Sequence, residues 1–321
     1  MRHELQIEPI ASWLNVTKPL LISGPCSAES EAQMVNTAKQ LAALKKIHAL
    51  RAGIWKPRTR PDQFEGAGHI GLQWLITAKK ETGLPVTTEV ANAAHVEACL
   101  KAGVDFLWVG ARTTVNPFSV QEIANALKGV DIPVMVKNPV NPDLELWIGA
   151  LERLNRAGIK KMVAIHRGFS SFDKNSPFRN VPMWDIPIEL KVRHPELEII
   201  CDPSHICGQR GLIPFIAQKA LDLDMSGLMI ESHIHPAAAM SDAAQQLTPA
   251  ALGKILDELI VRSPSSASKK FKDTLTSLRE QIDQLDDEIM HALAARMKIS
   301  EQIGQYKRDN NVTILQVNRW E

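Results

Sequence analysis

The feature that most limits what this chain can fold into is a series of eight short apolar runs, each separated from the next by an amphipathic helical pattern. The runs are Leu20 to Gly24, Ala49 to Trp55, Pro85 to Val90, Phe106 to Val109, Val134 to Lys137, Met162 to Ile165, Leu197 to Cys201 and Leu228 to Ile230. They are apolar at consecutive rather than alternate positions, so both faces are expected to be covered, as in a parallel sheet flanked by helices. Between the first two runs, Met34, Ala38, Leu41, Ala42 and Leu44 form one stripe of a helix predicted from Glu31 to Ile47. Eight such units predict an α/β protein, a closed (β/α)8 TIM barrel, with a helix from Thr248 to Arg262 closing it. An open doubly wound sheet shares this local pattern, but no Gly-x-Gly-x-x-Gly follows the first strand to favour dinucleotide binding.

At 321 residues there is room for a barrel and a smaller appendage. Ser263 to Lys270 reads as a linker. From Phe271 onward there is no proline and one glycine, Gly304, while Leu275, Leu278, Ile282, Leu285, Ile289 and Leu293 mark one long helix. The expected division is a barrel over 1–262, a linker over 263–270 and a helical domain over 271–321.

Lys and Arg total 37 against 36 Asp and Glu, a net charge of +1 that gives no bulk attraction to nucleic acid or to an anionic membrane. The amino terminus has charges where a signal peptide needs an apolar core, and no run of 18 apolar residues occurs. A soluble, cytoplasmic protein is expected. The four cysteines, Cys26, Cys99, Cys201 and Cys207, then read as thiols; Cys201 and Cys207 could close a short loop if oxidised.

In a barrel the site is built where the strands end, so the residues there define its chemistry. Arg51, Lys56, Arg58, Arg112, Lys137 and Arg167 make that end strongly cationic. Singly each reads equally well as a solvated surface charge; converging, they suit a phosphorylated, acidic small molecule. The second set is Cys26, His205, Glu231 and Asp242, a thiolate, an imidazole and two carboxylates that suit a divalent transition metal. Each also has a plain reading: a small buried residue, a loop hydrogen-bonder, an ion-pair partner and a helix cap respectively. His166, His233 and His235 are read as hydrogen-bond partners.

The motifs Gly24-Pro25-Cys26-Ser27, Arg51, Lys56-Pro57-Arg58-Thr59, Gly110-Ala111-Arg112, Lys137, His166-Arg167-Gly168, Asp202-Pro203-Ser204-His205, Glu231-Ser232-His233 and Ser241-Asp242 occur in this order. Together they closely resemble the 3-deoxy-D-arabino-heptulosonate 7-phosphate (DAHP) synthases, in their compact type I beta branch. The resemblance spans about Leu20 to Arg262. It implies condensation of phosphoenolpyruvate with erythrose 4-phosphate and loss of phosphate, the first committed step of the shikimate pathway. Carried over by position, Arg112, Lys137 and Arg167 would hold the phosphoenolpyruvate phosphate, Arg51 and Lys56 its carboxylate, and Arg58 and Thr59 the second substrate. One divalent metal of the Mn, Fe, Co or Zn class at Cys26, His205, Glu231 and Asp242 would polarise the aldehyde. Lys56 is the expected proton donor, and guanidinium neighbours should make its ammonium easier to deprotonate.

Two alternatives stand beside this reading. The homologous synthase that uses arabinose 5-phosphate typically carries Lys-Ala-Asn-Arg-Ser where this chain has Lys56-Pro57-Arg58-Thr59. A non-catalytic phosphometabolite sensor would keep the arginines without reason to keep four metal ligands.

The last segment, with Leu278-Arg279-Glu280-Gln281-Ile282-Asp283, Ala295-Arg296, Gly304 and Lys307, resembles the first helix of the all-helical chorismate mutases. Arg296 and Lys307 are eleven residues apart, three turns, and share a face. Arg279 lies about 80 to 100° around the helix from them at 100° per residue, which agrees with the family arginine that enters the partner subunit's site. Arg279, Arg296, Lys307 and Arg319 would bind chorismate or prephenate, a dicarboxylate whose rearrangement needs no acid or base. Gln316 and Trp320 stand where many mutases have Asp and Glu, and the sequence reaches Glu321 inside the expected second helix, so a truncated mutase is expected. The implied protein is a bifunctional, feedback-sensing homodimer or larger homo-oligomer. Otherwise the segment serves only to dimerise or regulate, for example as a coiled coil.

Overall fold

The computed structural model describes residues 4–16, 18–57, 62–173, 175–263 and 265–315. Among the described residues there are eight strands: β1 (Leu20–Gly24), β2 (Ala49–Arg51), β3 (Val86–Val90), β4 (Phe106–Val109), β5 (Val134–Lys137), β6 (Met162–His166), β7 (Glu198–Cys201) and β8 (Gly227–Glu231). They pair in sequence order and close into a barrel. The closing pair β1 and β8 is parallel, running in register from Leu20 with Gly227 to Gly24 with Glu231. That register sets the loop after β1 beside Glu231.

The helices are α1 (Glu31–Ala43), α2 (His69–Thr82), α3 (Ala93–Ala102), α4 (Ala111–Thr114), α5 (Pro117–Ala126), α6 (Leu144–Arg156), α7 (Asp185–Arg193), α8 (Pro203–Cys207), α9 (Ile213–Asp222), α10 (Pro249–Glu258) and α11 (Lys269–Asp309). Side chains of Ser30, Asn92, Asn116, Asp143 and Thr248 accept first-turn N–H groups, so these helices start where the sequence supplies a cap. Two apolar layers result, as a parallel sheet covered by helices requires. One lies between strands and helices and includes Leu50, Leu75, Leu107, Trp147 and Leu228. The other includes Leu20, Ile22, Phe106, Trp108, Met135, Ile165 and Met229 and fills the barrel, with Trp13, Leu14 and Val16 of the leader packed against it.

Two helices are shorter than their apolar pattern predicts. The first stops at Ala43 because Lys45 turns into the left-handed region (φ 55°) and leads the chain towards β2. α10 stops at Glu258 because the Gln218 side chain captures the next backbone, donating to Ile260 O at 2.9 Å and accepting from Ile260 N at 2.9 Å. β2 ends at Arg51 rather than Trp55; beyond it Gly53 meets the chain after β1 only in an isolated parallel bridge with Ser27, its N donating to Cys26 O at 3.1 Å.

The chain divides into two compact units, 1–262 and 263–321. The second is built on α11, which starts two residues before Phe271 because Ser268 accepts from Phe271 N at 3.3 Å. Leu278, Ile282, Leu285, Ile289 and Leu293 form an exposed apolar stripe along it. Among the described residues, no helix is long and apolar enough to cross a membrane.

Candidate active site

The carboxyl ends of the strands bring the two predicted sets of residues together. Cys26 sits just past β1, and Glu231 ends β8. Asp242 lies in the following loop at a left-handed φ of 47°. One ligand atom from each of the three lies within 4.8 Å of the others. His205, the middle residue of α8, stands beside the two carboxylates, its Nε2 3.8 Å from Glu231 Oε1 and 4.0 Å from Asp242 Oδ2.

The Asp242 loop is pinned from several directions. Met240 N donates to Glu29 at 2.9 Å, the Ser27 and Ser241 hydroxyls meet at 2.5 Å, and Cys26 N donates to the Gln246 side chain at 2.9 Å. Such bonds hold a residue in a backbone conformation it would not choose alone.

Burial and neighbouring charge act differently on the members of the cluster. Burial, then the nearby Glu231 carboxylate, push the Cys26 thiol up to about 12. Burial would raise the Glu231 carboxyl, but His205 and Arg51 outweigh it and hold it below its usual range. Burial is likewise outweighed at Asp242, by His205 and Arg179. Glu231 Oε1 is buried without a hydrogen bond, facing Arg51 at 3.1 Å. One sulfur, one imidazole nitrogen and two carboxylates around such an atom fit a divalent transition metal.

Beside this cluster is a cavity of about 220 Å³ whose lining includes Lys56, Glu89, Arg112, Lys137, Arg167, Arg179, His205 and Asp242. Burial, opposed by Asp202 and reinforced by the charges of Arg179 and Arg112, lowers Arg167 to about 10. Positive charge concentrated in so small a space is relieved by an anion.

Arg51 is 1% exposed and lies outside that lining. Its guanidinium faces Glu231 at 3.1 Å, donates to Cys26 O at 3.2 Å and stacks 4.9 Å from the Trp108 ring centroid. It braces the candidate metal ligands. Lys56 Nζ is 3.1 Å from both Cys26 Sγ and Cys26 O. Easier deprotonation of Lys56 is not borne out: burial lowers its pKa, but Cys26, Glu89 and Glu231 outweigh burial and raise it. The neighbours that matter are a thiol and carboxylates, with Arg51 the lesser influence. Arg58 and Thr59 lie outside the described residues.

Four supporting residues carry no role in the sequence reading. Asp202 caps α8 and contacts both Lys137 and His205 at 2.7 Å. Glu89, the one charged residue of β3, accepts from Trp108 Nε1 at 3.2 Å. A Cβ on Gly110 would come 1.9 Å from its Oε1, so Gly110 makes room for it. Arg179 pairs with Asp242 at 3.1 Å, and Asn180 accepts from Arg167 at 2.7 Å while donating to His205 O at 2.6 Å. An acidic residue in an otherwise uncharged strand was a readable signal for Glu89, and the proline-led turn was one for Asp202. Arg179 and Asn180 lie in an irregular segment that offered none. His166 is buried against Phe169 and Trp184, and His233 faces Glu29 at 3.5 Å.

In the second unit, Lys307 donates to Ile314 O at 2.9 Å and lines a groove of about 560 Å³ with Ile299, Ile303 and Tyr306. Arg279 and Arg296 both lie on α11, about 25 Å apart at 1.5 Å per residue. One copy of the helix therefore does not bring all three cations together. Arg319 lies outside the described residues.

A family model for chorismate mutase type II matches residues 278–321. Phospho-2-dehydro-3-deoxyheptonate aldolase of Thermotoga maritima is 31% identical over 228 residues, 71% of this chain and 64% of that protein. The chain thus spans less than two thirds of that relative's length. 2-Dehydro-3-deoxyphosphooctonate aldolase of Polaromonas naphthalenivorans is 28% identical over 264 residues, covering 75% of this chain and 88% of that protein. The crystal structure of the Thermotoga maritima phospho-2-dehydro-3-deoxyheptonate aldolase (DAHP synthase) superposes with a TM-score of 0.67 at 28% identity, covering 74% of this chain and 67% of that one. A model described as the DAHP synthetase I family matches residues 15–263, the barrel with its candidate site, and the chain belongs to that family.

Proposed function

We propose that the barrel condenses phosphoenolpyruvate with erythrose 4-phosphate to DAHP and phosphate, as a metal-dependent enzyme of the cytoplasm. The observation that carries this reading is the adjacency of the Cys26, Glu231 and Asp242 cluster to the cavity lined by Lys56, Arg112, Lys137 and Arg167. A divalent ion of the Mn, Fe, Co or Zn class, held by Cys26, His205, Glu231 and Asp242, would polarise the aldehyde oxygen of erythrose 4-phosphate. Arg112, Lys137 and Arg167 bind the phosphoenolpyruvate phosphate. Lys56 meets its carboxylate, with Arg51 acting from beneath. The new carbon-carbon bond leaves an alkoxide, and Lys56, charged and next to the cluster, donates the proton to it. Water then adds at the former enol carbon, and the carbon-oxygen bond to phosphate breaks. Arg58 and Thr59 are assigned to the second substrate.

The helical unit is proposed to bind chorismate or prephenate through Arg296, Lys307 and Arg319, with Arg279 from a second copy. Such a site makes the protein a homodimer or larger homo-oligomer and a second, mutase activity or feedback sensing its purpose. A second reading of the barrel, with arabinose 5-phosphate as the aldehyde, is favoured by the 28% identity to the octonate aldolase. Phosphate release from phosphoenolpyruvate, measured with each sugar phosphate in turn, separates the two. Turnover with erythrose 4-phosphate alone is the expected result, and preference for arabinose 5-phosphate would replace the first reading with the second.

A further inference from the structure

Gln245 occupies a position between the two carboxylates of the candidate metal cluster that neither the family match nor the sequence motifs assign. Its side chain is 1% exposed. The amide nitrogen donates to Glu231 Oε2 at 2.7 Å and reaches Asp242 Oδ2 at 3.4 Å. The amide oxygen accepts from Arg179 Nη1 at 2.8 Å, and the same nitrogen of Arg179 stands 3.1 Å from Asp242 Oδ1. Its backbone N donates to Asp242 O at 3.2 Å, closing the turn that carries the ligand in its left-handed conformation.

We propose that Gln245 is a positioning residue for the metal site. Its amide N–H sits between Glu231 and Asp242, where two negative charges would otherwise push each other apart. Its carbonyl tethers Arg179 over the outer oxygen of Asp242. Each carboxylate then has one oxygen fixed by the protein: Oε2 of Glu231 by Gln245, and Oδ1 of Asp242 by Arg179. The other oxygens, Oε1 of Glu231 and Oδ2 of Asp242, face His205 Nε2, and Oε1 also lies 3.1 Å from Arg51. Orienting partners of this kind set how well ligands converge on an ion. An uncharged amide serves where a third carboxylate would add repulsion. Gly208 supports the arrangement from the far side, since a Cβ there would come 2.6 Å from Arg179 Cβ.

This inference rests on the metal reading, and the test separates the two. Manganese binding to the full chain is followed by the loss of the free-ion electron paramagnetic resonance signal, for wild type, His205→Ala, Gln245→Met and Gln245→Leu. Methionine keeps the length of the side chain without its polar ends, and leucine provides a second packing should methionine unfold the loop. Wild type should bind one ion, and His205→Ala should lose it. The Gln245 variants should bind it roughly tenfold or more weakly, with phosphoenolpyruvate affinity of the metal-free protein unchanged. Saturating manganese should restore their kcat, a rescue that general damage to the fold would not allow. Manganese affinity within twofold of wild type in a folded Gln245 variant overturns this proposal and leaves the metal reading intact. Absence of binding by wild type overturns both.

Discussion

Asp202 Oδ2 stands 2.7 Å from His205 Nδ1, so the imidazole turns its Nε2 towards Glu231 and Asp242. The same oxygen is 2.7 Å from Lys137 Nζ. One buried carboxylate thereby orients a proposed metal ligand and neutralises a proposed phosphate-binding cation. Burial would raise its pKa, but His205 and Lys137 outweigh that and hold Asp202 well below the usual carboxylate range. Asp202→Asn keeps the shape and removes the charge. It should weaken metal binding about 10- to 100-fold. It should also destabilise the barrel by about 3 to 5 kcal/mol, because Lys137 would be left buried without its counter-charge. Metal titration and denaturant unfolding check the two effects separately, and unchanged metal affinity would remove the orienting role.

The two halves of the proposed site should fail in different ways. EDTA should abolish phosphate release and added manganese restore it, whereas full turnover of thoroughly metal-free protein would end the mechanism. His205→Ala should lose metal affinity. Lys137→Ala should keep the ion and bind phosphoenolpyruvate more weakly by roughly 1.5 to 3 kcal/mol, the worth of one charged hydrogen bond. Calorimetric titration of each variant with manganese and with phosphoenolpyruvate distinguishes the two losses.

Much of this site was legible because a barrel translates strand order into space: the residue after each apolar run must face the same mouth. Cys26, Glu231 and Lys137 needed only the strand ends to be found. Charge surroundings were not legible in the same way. Lys56 follows Arg51 in sequence and precedes Arg58, yet in space its strongest neighbours are Cys26, Glu89 and Glu231. Arg51 reads from the sequence as a substrate ligand, and nothing in its sequence surroundings announced that its guanidinium would be buried against Glu231. Gln245 and Arg179 are 66 residues apart and meet only after the barrel closes, so no local pattern announces them. The helix ends set by Lys45 and by the Gln218 side chain likewise depend on where the chain must go next.

His166 gives the barrel an acid limit of its own. Burial, then the charge of Arg167, lower its pKa from 6.5 to about 3, so the folded protein holds it neutral. Between these values the unfolded chain binds the extra proton and the folded one does not. Stability therefore rises with pH across this window; the contribution is fully present above about 6.5 and is lost progressively as pH falls towards 3. The loss from pH 6.5 to 5 is about 2 kcal/mol for a single such group. His166→Phe retains a ring against Phe169 and Trp184 and removes the titration. Urea unfolding at pH 7 and pH 5 should show a smaller acid loss in the variant than in wild type, and equal losses would assign the acid sensitivity to other groups.

A ligand of the helical unit is expected to inhibit the barrel. The product proposed for the barrel would lie upstream of chorismate and prephenate, so a cationic pocket for either would report the supply of later intermediates. The exposed stripe of Leu278, Ile282, Leu285, Ile289 and Leu293 suits association with another copy. Arg279 lies about 25 Å along α11 from Arg296, too far to share one pocket within a single helix. Ligand binding would then be coupled to how copies associate, and a coupling of about 1 to 3 kcal/mol is enough for a useful response. Deleting 263–321 removes this unit while leaving 1–262, which has its own core. The truncated barrel should release phosphate at close to the full-length rate and ignore saturating prephenate, while the intact protein is inhibited by it. Arg296→Ala should relieve that inhibition without changing the uninhibited rate. If the intact protein is indifferent to prephenate and chorismate, or the truncated barrel is still inhibited, α11 is a dimerisation helix and not the sensor.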